Sequence, residues 1–123
     1  MSLKKELIAG GMANSTAVAV GGSVVSGLTA FATGGQAGAT PLPAAANVIG
    51  TCATAGDSAL LPVADAGDEI WVRNNGAASC NVFPRSGGAI NGGSADAAFA
   101  VAASKTAVFK CLGSGNWLAS LTA

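Results

Sequence analysis

Histidine and tyrosine are absent from the 123 residues, and charge is scarce: six Lys and Arg against six Asp and Glu, a net charge of zero. Without histidine, the commonest general base and metal ligand is missing. A neutral chain carries no electrostatic footprint for nucleic acid or for an anionic membrane surface. Half of the residues are apolar, yet 28 are alanine and only 31 are the larger Val, Ile, Leu, Met, Phe and Trp, so the core is modest and the length suits one domain. Little charge of balanced sign leaves little repulsion between copies, which favours association. These absences argue for a β-rich assembly component and against an enzyme.

Cysteine is also sparse. Cys52, Cys80 and Cys111 lie 28 and 31 residues apart, with no C-x-x-C pair and no histidine to complete a zinc site. An odd number argues against a complete disulfide framework, and the three are expected to be reduced thiols used as small buried hydrophobes. One disulfide between neighbouring strands is the alternative. Lys4 and Lys5 precede a mildly apolar stretch, and Ala17-Val18-Ala19 would suit a signal-peptidase site. Glu6, Gly10-Gly11 and Asn14-Ser15-Thr16 interrupt the apolar segment such a signal needs. No stretch approaches the roughly 20 largely apolar residues of a membrane span.

What is present divides near Pro41-Leu42-Pro43. Residues 7 to 56 contain no charged side chain. The runs Ser15–Val20, Gly22–Ser26 and Leu28–Thr33 are punctuated by Gly21-Gly22, Gly27 and Gly34-Gly35 and read as short extended segments. Residues 1–45 are therefore expected to form an extended N-terminal arm that orders by strand addition on another subunit. Its candidate contact residues are Val18, Val20, Val24, Val25, Leu28 and Phe31. From residue 46 to residue 123 the pattern is regular. Strands are expected over Val48–Ala53, Ser58–Pro62, Glu69–Asn74, Ala78–Pro84, Ala97–Ala102, Thr106–Leu112 and Asn116–Leu121, with turn residues between them. Such spacing predicts an all-β fold, a compact antiparallel sandwich or barrel.

Asn75-Gly76 is a type I′ hairpin signal. A hairpin there would put Trp71, Arg73 and Phe83 on the face opposite Ile70, Val72, Cys80 and Val82. Trp and Arg are enriched in subunit contacts, so Trp71, Arg73 and Phe83 are candidate interface residues unless the arm or a loop covers them. Ile90, the only large apolar residue of the loop Ser86–Ser94, either anchors that loop to the core or touches a neighbour. No catalytic set emerges. The phosphate-loop motif is missing, Gly113-Ser114-Gly115 lacks the third glycine of a dinucleotide fingerprint, and no base accompanies any serine or cysteine. Asp65, Asp68 and Glu69 could be imagined as paired acids or a calcium site, but Asp65-Ala66-Gly67-Asp68 is turn chemistry. No catalytic, cofactor-binding or metal-binding residue is assigned.

The segments Gly67-Asp68-Glu69-Ile70-Trp71-Val72-Arg73-Asn74-Asn75-Gly76, Asn81-Val82-Phe83-Pro84-Arg85-Ser86-Gly87-Gly88-Ala89-Ile90-Asn91, Thr106–Cys111 and Asn116-Trp117 resemble small structural proteins of tailed bacteriophages, over residues 47–121. Such β modules occur in head decoration (cement) proteins and in fibre or spike proteins. The resemblance implies a virion protein made in the bacterial cytoplasm, a homotrimer on the outer capsid surface, with itself and the major capsid protein as partners. It implies no nucleic acid, membrane or small-molecule substrate. A tail-fibre, spike or head-fibre module for host attachment is the alternative, and a carbohydrate-binding sandwich a more distant one.

Overall fold

The computed structural model describes residues 23–122, and no helix occurs among them. Ten strands follow in chain order: β1 (Val24–Thr29), β2 (Thr40–Pro41), β3 (Ala46–Thr51), β4 (Ser58–Leu60), β5 (Glu69–Asn74), β6 (Cys80–Phe83), β7 (Ala89–Ile90), β8 (Phe99–Val101), β9 (Thr106–Gly113) and β10 (Asn116–Thr122). The fold is all-β, as the alternating runs predict. The expected strands from residue 46 onward reappear as β3 to β6 and β8 to β10. β7, inside the glycine-rich loop, is a further pairing that two residues alone do not signal.

The antiparallel expectation is corrected. Strands β1, β3, β5, β9, β10 and β7 form one six-stranded sheet in that order, and β2, β4, β6 and β8 form a second. β1–β3, β3–β5, β2–β4, β4–β6 and β10–β7 pair in parallel, and only β5–β9, β9–β10 and β6–β8 are antiparallel. The first six strands alternate between the two sheets. Each pair is thus one turn of a coil stacked on the previous one, a solenoid-like arrangement with a repeat of roughly two dozen residues.

The stacking is legible in the register. Ala46 lies beside Trp71 and Val24 beside Ala46 in the first sheet, while Leu60 pairs with both Pro41 and Phe83 in the second. Leu42 N–H donates to Leu60 O (3.1 Å) and Leu61 N–H to Phe83 O (2.9 Å). This superposes Leu42, Leu61 and Pro84, all among the largest fully buried side chains. With Ile49, Val72, Val82, Val101, Phe109 and Trp117 they form a single core shared by both sheets.

Two buried asparagines shape the corners. Asn47 accepts from Ala44 N–H (3.1 Å) and donates to Ala44 O (2.8 Å) and Trp71 O (3.2 Å). Asn74 donates to Ala78 O (2.8 Å) and Val101 O (2.9 Å) and accepts from Gly76 N–H (2.9 Å). Each takes up backbone groups that a bend between sheets would otherwise strand in the core.

Asn75-Gly76 is one of these corners and not a hairpin. Neither residue has the positive φ that a type I′ turn demands, and the chain leaves the first sheet at Asn74 to enter the second at Cys80. The two-residue hairpin turn lies instead between β9 and β10, where Ser114 and Gly115 have φ of 53° and 78°. The arm boundary at residue 45 is corrected too. β1 and β2 belong to the two sheets, and Ala30, Ala39, Leu42 and Ala44 are buried. Small uncharged side chains allow this segment to be buried without desolvating a charge. Val18 and Val20 lie outside the described residues.

Candidate assembly surface

β5, β9 and β10 bury one face and present the other to solvent. Inward, Ile70, Val72, Ala107, Phe109, Cys111 and Trp117 enter the core. Outward, Trp71 pairs with Val108, Glu69 with Lys110, and Lys110 with Leu118. Trp71, Leu112 and Leu118 are 41 %, 52 % and 51 % exposed, a density of apolar surface that a solvated face does not need. Glu69 holds the ring of Trp71 in place, since its Oε1 accepts from the indole Nε1–H (3.1 Å). Its Oε2 lies 4.0 Å from Lys110 Nζ, an ion pair between two half-exposed groups that adds little stability. Arg73 continues the row, donating to Asn75 Oδ1 (2.7 Å) and Thr106 Oγ1 (3.5 Å). The result is a sheet face with a hydrogen-bonded aromatic side chain, aliphatic residues and both signs of charge.

Of the four interface candidates, the fold brings Trp71 and Arg73 together. Phe83 lies in the other sheet, half-buried beside Leu60, because the corner at Asn74 replaces the hairpin that would have joined the faces. Ile90 is 7 % exposed and belongs to the core, so it anchors its loop. The sequence reading missed Val108, Leu112 and Leu118. The period-two alternation of β9 and β10 carried that signal, once one face was known to be buried.

The arm candidates separate similarly. Val24 is 72 % exposed, whereas Leu28 packs against the core and Val25 is half-buried. Phe31 bridges to Ser58 through paired backbone hydrogen bonds of 2.8 and 3.1 Å. Its ring lies where a side chain on Gly38 would stand, 2.9 Å from a Cβ built there.

Asp65–Asp68 closes as a turn, with Asp65 N–H donating to Asp68 Oδ2 (3.0 Å) and Asp68 N–H to Asp65 O (3.0 Å). No group of three His, Cys, Asp or Glu residues suited to a metal ion is found among the described residues. Concavities of about 220 Å³ between Leu42, Pro43, Pro62, Val63, Asp68 and Glu69, about 320 Å³ over Val108, Lys110 and Leu118, and about 460 Å³ beside Gln36, Leu60 and Arg85 are present among the described residues; the two larger ones are shallow and open to solvent, unlike the enclosed clefts that bury most of a small ligand. No described helix is long and apolar enough to cross a membrane.

Cys52, Cys80 and Cys111 are free and buried. Burial, and then the neighbouring Cys52 thiol, push the Cys80 thiol from 9.0 up to about 12, and burial chiefly raises Cys52 as well. A thiol whose folded pKa lies above its unfolded one favours the protonated, folded state. That contribution is complete below pH 9 and is lost as pH rises from 9 toward 12. Denaturant midpoints should therefore fall between pH 8.5 and 10.5, with a shallower fall in Cys80→Ala. An unchanged slope in the variant would assign the alkaline loss to other groups. Compared with known protein families, with curated proteins and with solved structures, the chain matches none.

Proposed function

We propose that this chain is a structural protein of a tailed-bacteriophage particle, a decoration (cement) protein on the outer capsid surface that stabilises contacts between major capsid subunits. The observation that carries the reading is the outer face of β5, β9 and β10, where Trp71, hydrogen-bonded to Glu69, stands beside Val108, with Leu112 and Leu118 exposed on the same face. A face that combines an exposed aromatic and aliphatic side chains with a few charges of both signs suits a protein contact, in which the apolar residues supply burial and the charges supply register. In this reading the two sheets act as a flattened sandwich, one side of which is the contact. A homotrimer is what the phage resemblance implies.

The fold alters which truncation can test the arm. Removing residues 1–45 would delete β1, β2 and buried Leu42, so the informative deletion is residues 1–22. The direct test adds the full chain to phage shells lacking decoration and measures co-sedimentation. The wild type should saturate at many copies per shell. Trp71→Ala should bind at least about tenfold more weakly while keeping its thermal midpoint, as for an anchor residue lost from an interface. Binding restricted to a few copies at the tail would overturn the capsid reading in favour of a fibre or spike.

A further inference from the structure

The three thiols are nucleophiles that an assembly role leaves unused, and the fold sorts them into a pair and a single. Cys52 follows β3, where the chain leaves the first sheet, and Cys80 opens β6 one coil later. The two coils meet at this corner. Ala78 N–H donates to Cys52 O (2.9 Å), and Gly56 N–H donates to Ser79 O (3.1 Å). The stacking brings the two sulfurs together: Cys80 Sγ–H donates to Cys52 Sγ, whose own S–H is directed at Ser79 O (3.5 Å).

Cys111 stands apart. Its N–H donates to Asp68 O (2.8 Å) and its thiol to Ala64 O (3.6 Å), at the start of β5. Cys52 lies at the other end of that strand, where Asn75 N–H donates to Ile49 O (2.9 Å). The six residues of β5 separate the two ends by roughly 20 Å.

The paired thiols are buried, but their cover is thin. Thr51, Ala53, Thr54 and Ala55 on one coil and Asn75 and Ala77 on the next are exposed. A small oxidant therefore needs a local opening of this corner and not an opening of the whole core.

We propose that Cys52 and Cys80 are an oxidation site, at which hydrogen peroxide converts the reduced pair into a disulfide that staples the β3–β4 coil to the β5–β6 coil. Cys52 attacks first, because the hydrogen bond it accepts from Cys80 favours its thiolate. That thiolate takes one peroxide oxygen, the O–O bond breaks, and the departing hydroxide leaves as water with the thiol proton. Cys52 is then a sulfenic acid. Cys80 Sγ attacks Cys52 Sγ, the S–O bond breaks, and hydroxide leaves with the Cys80 proton as a second water. Two thiols have lost two electrons and two protons, and one peroxide has become two waters. The staple concerns how the coils are held together, apart from what the Trp71 face binds.

The test treats the folded full chain with hydrogen peroxide. The product should be lighter by about 2 Da, and in denaturant it should take up one alkyl group in place of three. Trypsin cleaves after Arg73 and Arg85, so the three cysteines fall on different peptides. Peptides 6–73 and 74–85 should be recovered joined, and dithiothreitol should part them. The oxidised chain should melt at least about 5 °C higher than the reduced one. Cys80→Ala should abolish the link and leave Cys52 as a sulfenic acid that dimedone captures, whereas Cys111→Ala should keep the link. If Cys80→Ala fails to fold, the peptide map of the wild type decides. Three alkylatable thiols after treatment overturn the inference. So does a bond that includes Cys111 or joins two copies. A melting point lowered by the Cys52–Cys80 bond also overturns it, because the bond would then oppose the stacking and not staple it.

Discussion

Gly76→Ala should lower unfolding free energy by about 3 kcal/mol, the upper end of what an overpacked site costs. The cause is a close approach of backbones. A Cβ at Gly76 would stand 2.6 Å from Cys52 Cβ and 2.9 Å from Cys52 Cα, and nearer still to the Cys52 amide nitrogen. None of these atoms can rotate away. Cys52 is fixed by its own carbonyl, which accepts from Ala78 N–H at 2.9 Å, and its side chain lies in the core. Only separation of neighbouring coils would make room, and that would disturb the stacking that buries Leu42 and Leu61. Gly92→Ala is the control. Gly92 has φ of 68° with open space around it, so the cost there is left-handed strain alone, about 1 kcal/mol. Urea denaturation of both variants separates the two effects, and equal losses would show that the close approach at Gly76 is not what matters.

Gly76 also shows where sequence reading stops. Asn-Gly between two alternating runs ordinarily marks a hairpin, and local pattern offers no reason to doubt it. What decides is non-local: the runs flanking it are each claimed by a strand of an earlier coil, β5 by β3 and β6 by β4. Alternation correctly located Glu69–Asn74 and Thr106–Leu112 as half-buried strands, because one face of each meets the core. It could not say whether neighbours run parallel or antiparallel, since period two is the same in both. The coil did leave a trace. Pro43, Pro62 and Pro84 each follow a strand of the second sheet, at similar intervals. Taken singly they read as strand ends, or as the boundary of an arm. Trp71 and Arg73 were visible as outward residues from their own strand alone, whereas Phe83 required the position of its neighbour, which a corner had moved to the other sheet.

Asn74→Ala should cost about 4 kcal/mol, because three backbone groups lose their partner at once in a site with no exposure. Gly76 N–H, Ala78 O and Val101 O are all served by that one amide. A methyl group in its place serves none of them. Asn74→Asp separates the donor role from the acceptor role. The carboxylate can still accept from Gly76 N–H but faces two carbonyl oxygens where the amide donated, and burial further disfavours its charge. Its folded pKa should therefore be raised above the unfolded value. The protonated form, which can donate to one carbonyl, is favoured in the fold, so the variant should gain stability as pH falls from 8 toward 4.5. Urea midpoints of Asn74→Asp across that range, read against the wild type, should converge at the acid end. Parallel curves would mean that Asn74 acts by shape and not by donating. The Val101 bond also ties the corner to β8, and backbone pairing of Asn74 with Ser104 (2.7 Å) and Lys105 (2.9 Å) fixes the turn beyond it. The corner that replaces the expected hairpin therefore also holds β8 in place. Loosening it should raise amide exchange at Phe99 and Val101, which face β6, before any effect on β10.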